Sequence, residues 1–170
     1  MKYLLLNMQL NLQIEPVRIA DHYDAVFHLL EHLHVHELSL FDKTATWDDI
    51  GAGYMRHVVE MQEENDGLCL IAYVDKKPVG LIFGYVEDED DDSRIEVYKG
   101  MALYVSDGVV LVEYRKYGIY TKLNEMLEQH YIDKGVRRII RFTLYNNTKM
   151  QHFLEKEGYS VTRLQYEKWL

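Results

Sequence analysis

Between Val109 and Tyr120 the chain reads Val109-Val110-Leu111-Val112-Glu113-Tyr114-Arg115-Lys116-Tyr117-Gly118-Ile119-Tyr120. An apolar run passes into a basic turn with one glycine, and helical spacing begins at once. The chemistry such a stretch can do is anion binding. The first N–H groups of a helix have no intrahelical acceptor and carry partial positive charge, so they suit a phosphate. Arg115 and Lys116 add formal charge, and Gly118 lets the backbone come close to a ligand. A plain strand-turn-helix with solvated basic residues has the same pattern, because one-glycine motifs are weak. Both readings stand on this stretch alone.

Three further groups have reactive side chains. Asp107 is a carboxylate within an expected strand, beside Ser106, where it can pair with a neighbour. His32, His34, His36 and Glu37 cluster late in the first helix, with His32 and His36 on one helical face. Such spacing can bind metal, but no Cys or carboxylate pattern accompanies it, so no metal is expected. Glu87-Asp88-Glu89-Asp90-Asp91-Asp92 is a six-acid run between two strands. A solvated loop is the preferred reading, and attraction of a cationic acceptor is the other.

The elements that position these groups follow from periodicity. Leu12 to Arg18 reads as a short strand. Asp21 caps a helix with Val26, Leu29, Leu30 and Leu33 at helical spacing. A second helix starts near Thr46, turns Ile50, Tyr54, Val58 and Met61 inward, and stops at Asn65-Asp66-Gly67. Leu68 to Val74 and Val79 to Val86 form a hairpin. A strand runs from about Met101 to Val112. The helix Gly118 to Lys134 turns Ile119, Leu123, Leu127 and Tyr131 inward, and Gly135 ends it. Val136 to Leu144 is a strand. Asn147 caps a helix carrying Met150, Phe153 and Leu154, which Gly158 ends. Tyr159 to Leu164 and Tyr166 to Leu170 read as closing strands. The order is βααβββαβαββ, a mixed α/β domain over 1–170, with 1–11 as a flexible or edge lead-in and Met1 or Met8 as the start.

The 170 residues carry 19 Lys+Arg against 28 Asp+Glu, a net charge of −9, with 48% apolar residues. That composition excludes disorder of the whole chain. The acidic balance argues against nucleic acid and anionic membrane as partners. No apolar run approaches the roughly 20 residues of a membrane span. Cys69 is alone, so an internal disulfide is impossible, and a reducing, cytoplasmic setting is expected. The charge is lopsided: Met1 to Gly108 has 8 basic against 21 acidic residues, a balance of −13, and Val109 to Leu170 has 11 against 7, a balance of +4. The acidic half suits a cationic ligand, and the basic half an anionic one.

The order of these motifs resembles the GNAT superfamily of acyl-CoA-dependent N-acyltransferases. The family turn is Arg/Gln-x-x-Gly-x-Gly/Ala; here Arg115 and Gly118 match and Tyr120 replaces the small last residue. The family's downstream Asn-x-x-(small)-x-x-Phe-Tyr and Gly-Phe read here as Asn147 to Leu154 and Gly158-Tyr159. Tyr104 to Val110 looks like the Tyr-x-Glu-Asp-x-x-Val strand of small-amine acetyltransferases. The resemblance covers Leu68 to Leu170, and the first two helices fit the usual N-terminal half.

The resemblance implies a GNAT-type, mostly antiparallel sheet flanked by helices. It implies acetyl-CoA as cosubstrate, its pyrophosphate on the backbone of Arg115, Lys116, Tyr117, Gly118, Ile119 and Tyr120. The pantetheine would pair with Val110 and Val112 between splayed strands, and Asn147 would hold the pantetheine or the nearby turn. The implied reaction is direct attack by a primary amine of a small molecule or peptide on the thioester. Ser106 stands at the base position of the diamine-type enzymes and Leu154 at the usual acid position, so Asp107 and Tyr159 are the catalytic candidates. His36, Glu37 and Phe41 border the implied acceptor pocket, and a homodimer through C-terminal edge strands is implied. The alternative is a catalytically weak acyl-CoA-binding or regulatory module on the same fold.

Overall fold

The computed structural model describes residues 10–87 and 100–170. Of the lead-in only Leu10 and Asn11 fall within them, and of the acidic run only Glu87; the rest lies outside the described residues. Five strands form one sheet in the order β1 (Leu12–Val17), β2 (Leu68–Val74), β3 (Lys77–Glu87), β4 (Ala102–Val110) and β5 (Arg138–Arg141). Four helices flank it: α1 (Tyr23–Leu40), α2 (Trp47–Glu64), α3 (Ile119–Asp133) and α4 (Thr148–Lys156). Neighbours β1 to β4 are antiparallel, and β4 and β5 are parallel. The parallel step requires a crossover, which α3 supplies. The expected fold class is therefore the observed one.

Each face of the sheet has its own core. Val26, Leu29, Leu30, Met55 and Val58 of α1 and α2 pack on Ile71, Leu81, Phe83 and Val109. Ile119, Leu123, Leu127 and Tyr131 of α3 pack on Leu70, Ala72, Ile82, Leu103 and Val105. Strands buried on both faces carry continuous apolar runs rather than alternation, which explains Leu68–Val74 and Val79–Val86. The hairpin between β2 and β3 closes on Asp75 and Lys76, at φ 49° and 66°. Two consecutive left-handed residues make the type I′ turn whose twist matches paired strands.

Some expected boundaries move. Asp21 lies inside a short 3-10 turn (Ile19–His22), and His22 takes the N-cap position of α1. The strand expected to reach Val112 ends at Val110, because Val112–Tyr114 closes a 3-10 turn. The strand expected over Val136 to Leu144 is confined to Arg138–Arg141. The two closing strands do not form. Among the described residues 159–170 pair with no strand, and Val161, Leu164, Tyr166 and Trp169 are 64–88% exposed. A strand needs a backbone hydrogen-bonded neighbour, and among the described residues the backbone of the tail forms no ladder with the edge strand β5.

The pairing of β3 with β4 carries one irregularity. Phe83 pairs with Asp107 and Gly84 with Val105, so Ser106 is an extra residue in β4. A bulge of this kind bends its strand and sharpens the twist. On its other edge β4 pairs with β5 only from Ala102–Arg138 to Val105–Arg141. Past the bulge the two strands part.

Candidate functional site

The basic turn leads into α3 through two left-handed residues, Lys116 at φ 72° and Gly118 at φ 75°. Gly118 is the N-cap of α3, and a Cβ built on it meets nothing within 4 Å. The helix therefore opens onto free space, with its first N–H groups facing outward. A cavity of about 300 Å³ lies there, lined by Val110, Tyr114, Arg115, Lys116, Gly118, Ile119, Tyr120, Thr121 and Phe153. Arg115 is partly committed, since its Nε donates to the Val110 carbonyl at 2.9 Å. This bond fixes the turn against the end of β4.

Of the residues expected to hold an anionic cosubstrate, Val110, Arg115, Lys116, Gly118, Ile119 and Tyr120 meet around this cavity. Val112 and Tyr117 do not line it and are 71% and 54% exposed. Val112 opens the 3-10 turn after β4, and its carbonyl accepts from the Arg115 N–H. Asn147 caps α4, its side chain accepting from the Met150 N–H at 3.3 Å.

A second cluster lies on the opposite face of β4. Asp107 is 3% exposed and accepts from Tyr54 Oη at 2.7 Å and from Ser106 Oγ at 2.6 Å. Burial pushes its pKa up, and the two hydroxyls and His57 pull it partly back. Glu37 faces this group. Burial and then the charge of Asp107 raise its pKa. Burial and then the charges of Arg115 and Lys149 lower the pKa of His36. The charges of both clusters are thus felt at the end of α1. Asn146 Nδ2 ties it to the loop before α4 by donating to the Leu40 carbonyl at 3.2 Å. Phe41 is half-buried at the C-cap of α1. Trp47 belongs to the core, beside Phe27 and Tyr54. Among the described residues no group of three or more side chains could hold a metal ion, and His34 Nε2 lies 2.5 Å from the Ala45 carbonyl.

A buried polar network fills the region between β4 and β5 on the α3 side. Arg141 donates from Nη1 to Tyr120 Oη at 3.1 Å, from Nε to Tyr159 Oη at 3.2 Å, and from Nη2 to Asn124 Oδ1. Tyr159 in turn donates to Glu128, which also lies 3.9 Å from Arg141. The Tyr159 proton is thereby engaged. Tyr54, Tyr114, Thr121, Phe153 and Arg141 were not singled out for chemistry by sequence. Two carried a usable signal: a phenol on the inner face of α2 needs a buried acceptor, and an arginine after Ile139-Ile140 needs buried partners.

These features define an α/β transferase-type scaffold, with an anion cradle at a helix start, a sheet parted beside it and a buried carboxylate across the strand. The chain matches the model of the acetyltransferase (GNAT) family over residues 30–159. It belongs to the GNAT family of acetyltransferases. Among solved structures it is similar to the aminoglycoside N-acetyltransferase AAC(6')-Iy in complex with CoA, at 17% identity over 96% of this chain and 99% of that one, TM-score 0.69. A tetramutant of the BH1408 protein from Bacillus halodurans is 19% identical over 93% and 99%, TM-score 0.70. A possible acetyltransferase from Clostridium difficile 630 is 19% identical over 94% and 97%, TM-score 0.68. No curated relative matches the chain at a significant level. Among the described residues no helix is long and apolar enough to cross a membrane.

Proposed function

We propose that this chain moves an acetyl group from acetyl-CoA to a primary amine of a small molecule or peptide, by direct attack in a ternary complex in the cytoplasm. The observation that carries this reading is the open, left-handed turn at Lys116–Gly118 beside the cavity, adjoining the parted edge of β4. Backbone N–H groups of the cradle, with Arg115 and Lys116, bind the pyrophosphate. Phe153 and Val110 wall the path of the pantetheine, and Asn147 holds the turn into α4. The structures of AAC(6')-Iy with CoA and with a CoA-S-monomethyl-acetylneamine bisubstrate analog support the choice of substrates.

The amine must lose a proton to attack. Asp107 accepts it through water, because its buried position raises its affinity for protons above that of an exposed carboxylate. Glu37 attracts the amine as its ammonium form, with His36 and Phe41 beside it. Tyr159 acts through Arg141 rather than on the substrate. The binding-module alternative retains one observation: Leu154 has no proton to give. The exposed apolar tail and the open edge of β5 favour pairing with a second copy of this chain, making a homodimer.

The test is thermal shift with acetyl-CoA, followed by thiol release across a panel of small amines and peptides. Stabilisation with thiol release supports the transferase. Stabilisation without release supports the binding module, and no stabilisation refutes both.

A further inference from the structure

We propose that the Tyr120 hydroxyl protonates the departing sulfur of CoA, with Arg141 holding the phenol in place for that step. The inference rests on the proposed acetyl transfer and assigns its second proton. A thiol has a pKa near 8.5 in water, so thiolate departure is tolerable there. In a cleft of low polarity an unprotonated sulfur is costlier, and a donor accelerates its departure.

Tyr120 is placed for this. It sits in the first turn of α3, directly after the cradle, and lines the same cavity. Its ring crosses beneath the parted strands. Tyr120 Oη lies 2.6 Å from where a Cβ on Gly108 of β4 would be, and accepts from Arg141 of β5 at 3.1 Å. Phe153 closes the other side, with ring centroids 5.0 Å apart. The lone pair is thus occupied, whereas the phenolic hydrogen is donated to no other described residue. Its neighbours differ. Tyr159 donates to Glu128, Tyr54 to Asp107 and Tyr131 to the Asp66 carbonyl. Burial raises the pKa of Tyr120, and the Arg141 charge works against that rise and favours giving the proton up.

Tyr120 also stands in a telling relation to Asp107. Successive strand residues point to opposite faces. Asp107 meets Tyr54 on the α2 side, and the next residue, Gly108, meets Tyr120 on the α3 side. Proton acceptor and proton donor therefore flank one strand edge at adjacent residues. Before attack, the ammonium proton passes through water and Asp107 to solvent. The neutral nitrogen then forms its bond to the carbonyl carbon and sheds its second proton through water to Asp107. The carbon–sulfur bond breaks with its electron pair on sulfur, which takes the Tyr120 proton and leaves as the CoA thiol. Arg141 stabilises the resulting phenolate until it regains a proton from solvent, to which Asp107 releases the one it took.

The experiment is Tyr120→Phe, which keeps the ring against Gly108 and Phe153, measured for CoA Kd by calorimetry and for kcat and acetyl-CoA KM by thiol release. The expected result is a fall in kcat of about 100-fold, the lower end of general acid catalysis, with Kd and KM within about threefold. Arg141→Gln, which keeps a donor and removes the cation, also lowers kcat and leaves Kd. A fall in kcat of less than about tenfold in Tyr120→Phe, or a loss of CoA affinity that accounts for the fall, overturns the inference while the proposed function stands. A wild-type chain that binds no CoA, or binds it and releases no thiol, overturns the proposed transferase and this inference with it.

Discussion

Tyr54 on α2 and Asp107 on β4, 53 residues apart in sequence, are joined by a 2.7 Å hydrogen bond that crosses from helix layer to sheet. The phenol donates, so the bond is strongest when Asp107 is ionised. Burial works the other way and favours the protonated acid. Asp107 is thus held in a contest between desolvation and two hydroxyl donors, the setting in which a carboxylate can both take up and release a proton.

That contest separates stability from activity. Asp107 has a folded-state pKa above its unfolded value, so its protonated form favours folding. Stability falls as pH rises from the unfolded carboxylate range, near 3.9, through the folded pKa. Asp107→Asn should lower kcat by about 100-fold. It should also flatten the loss of thermal stability as pH rises above the unfolded carboxylate range. Melting curves across pH, paired with thiol-release rates, check both outcomes. An Asn variant with unaltered kcat removes Asp107 from the chemistry.

Gly118 is required by its backbone angle rather than by crowding, because its Cβ position is empty. Gly118→Ala should cost roughly 1–2 kcal/mol for a left-handed residue with a side chain. It should also weaken CoA, because relief of that strain turns the first N–H groups of α3 away. Calorimetry with CoA and denaturant unfolding measure the two effects separately.

Gly51 in α2 makes room for the Trp47 ring, which a Cβ would meet at 2.8 Å. Glycine to alanine inside a helix ordinarily gains about 0.5–1 kcal/mol. Here the clash with a buried ring in a packed core outweighs that gain, since overpacking costs about 1–3 kcal/mol. Gly51→Ala should therefore lower Tm and alter Trp fluorescence. A rise in Tm would show that Trp47 moves freely.

The tail bears on assembly. Residues 160–170 are exposed throughout, including Trp169 and Leu170, and β5 is an edge strand. Light scattering should give twice the chain mass. Removal of 160–170, or Trp169→Asp with Leu164→Asp, should give the mass of one chain. A monomeric wild type refutes the proposed homodimer.

Much of this architecture was legible because the local signals agreed with each other. Leu68–Val74 is apolar and ends in a two-residue turn, and α3 carries Ile119, Leu123, Leu127 and Tyr131 at helical spacing, so both appear where periodicity puts them. The cradle was legible for a similar reason, since its chemistry lies in contiguous residues. The cluster around Asp107 was only half visible. Its partner Tyr54 comes from a distant helix, and the bulge at Ser106 that parts β4 from β5 has no local sequence signal. The closing strands do not form because Tyr159 to Leu170 has strand composition but no ladder partner among the described residues. Pairing is a property of two segments, and pattern reports only one.

Gly108 and Tyr120 occupy one shared volume, with bulk on the helix and none on the strand. The two positions are therefore interchangeable in size but not independent. A relative with a small residue at the position of Tyr120 is free to carry a side chain at that of Gly108, and one that keeps the tyrosine must keep the glycine. In a deep set of homologous sequences the pair should co-vary, with side-chain volume traded between them. The inheritance of a phenol at this place can be traced by a glycine twelve residues upstream.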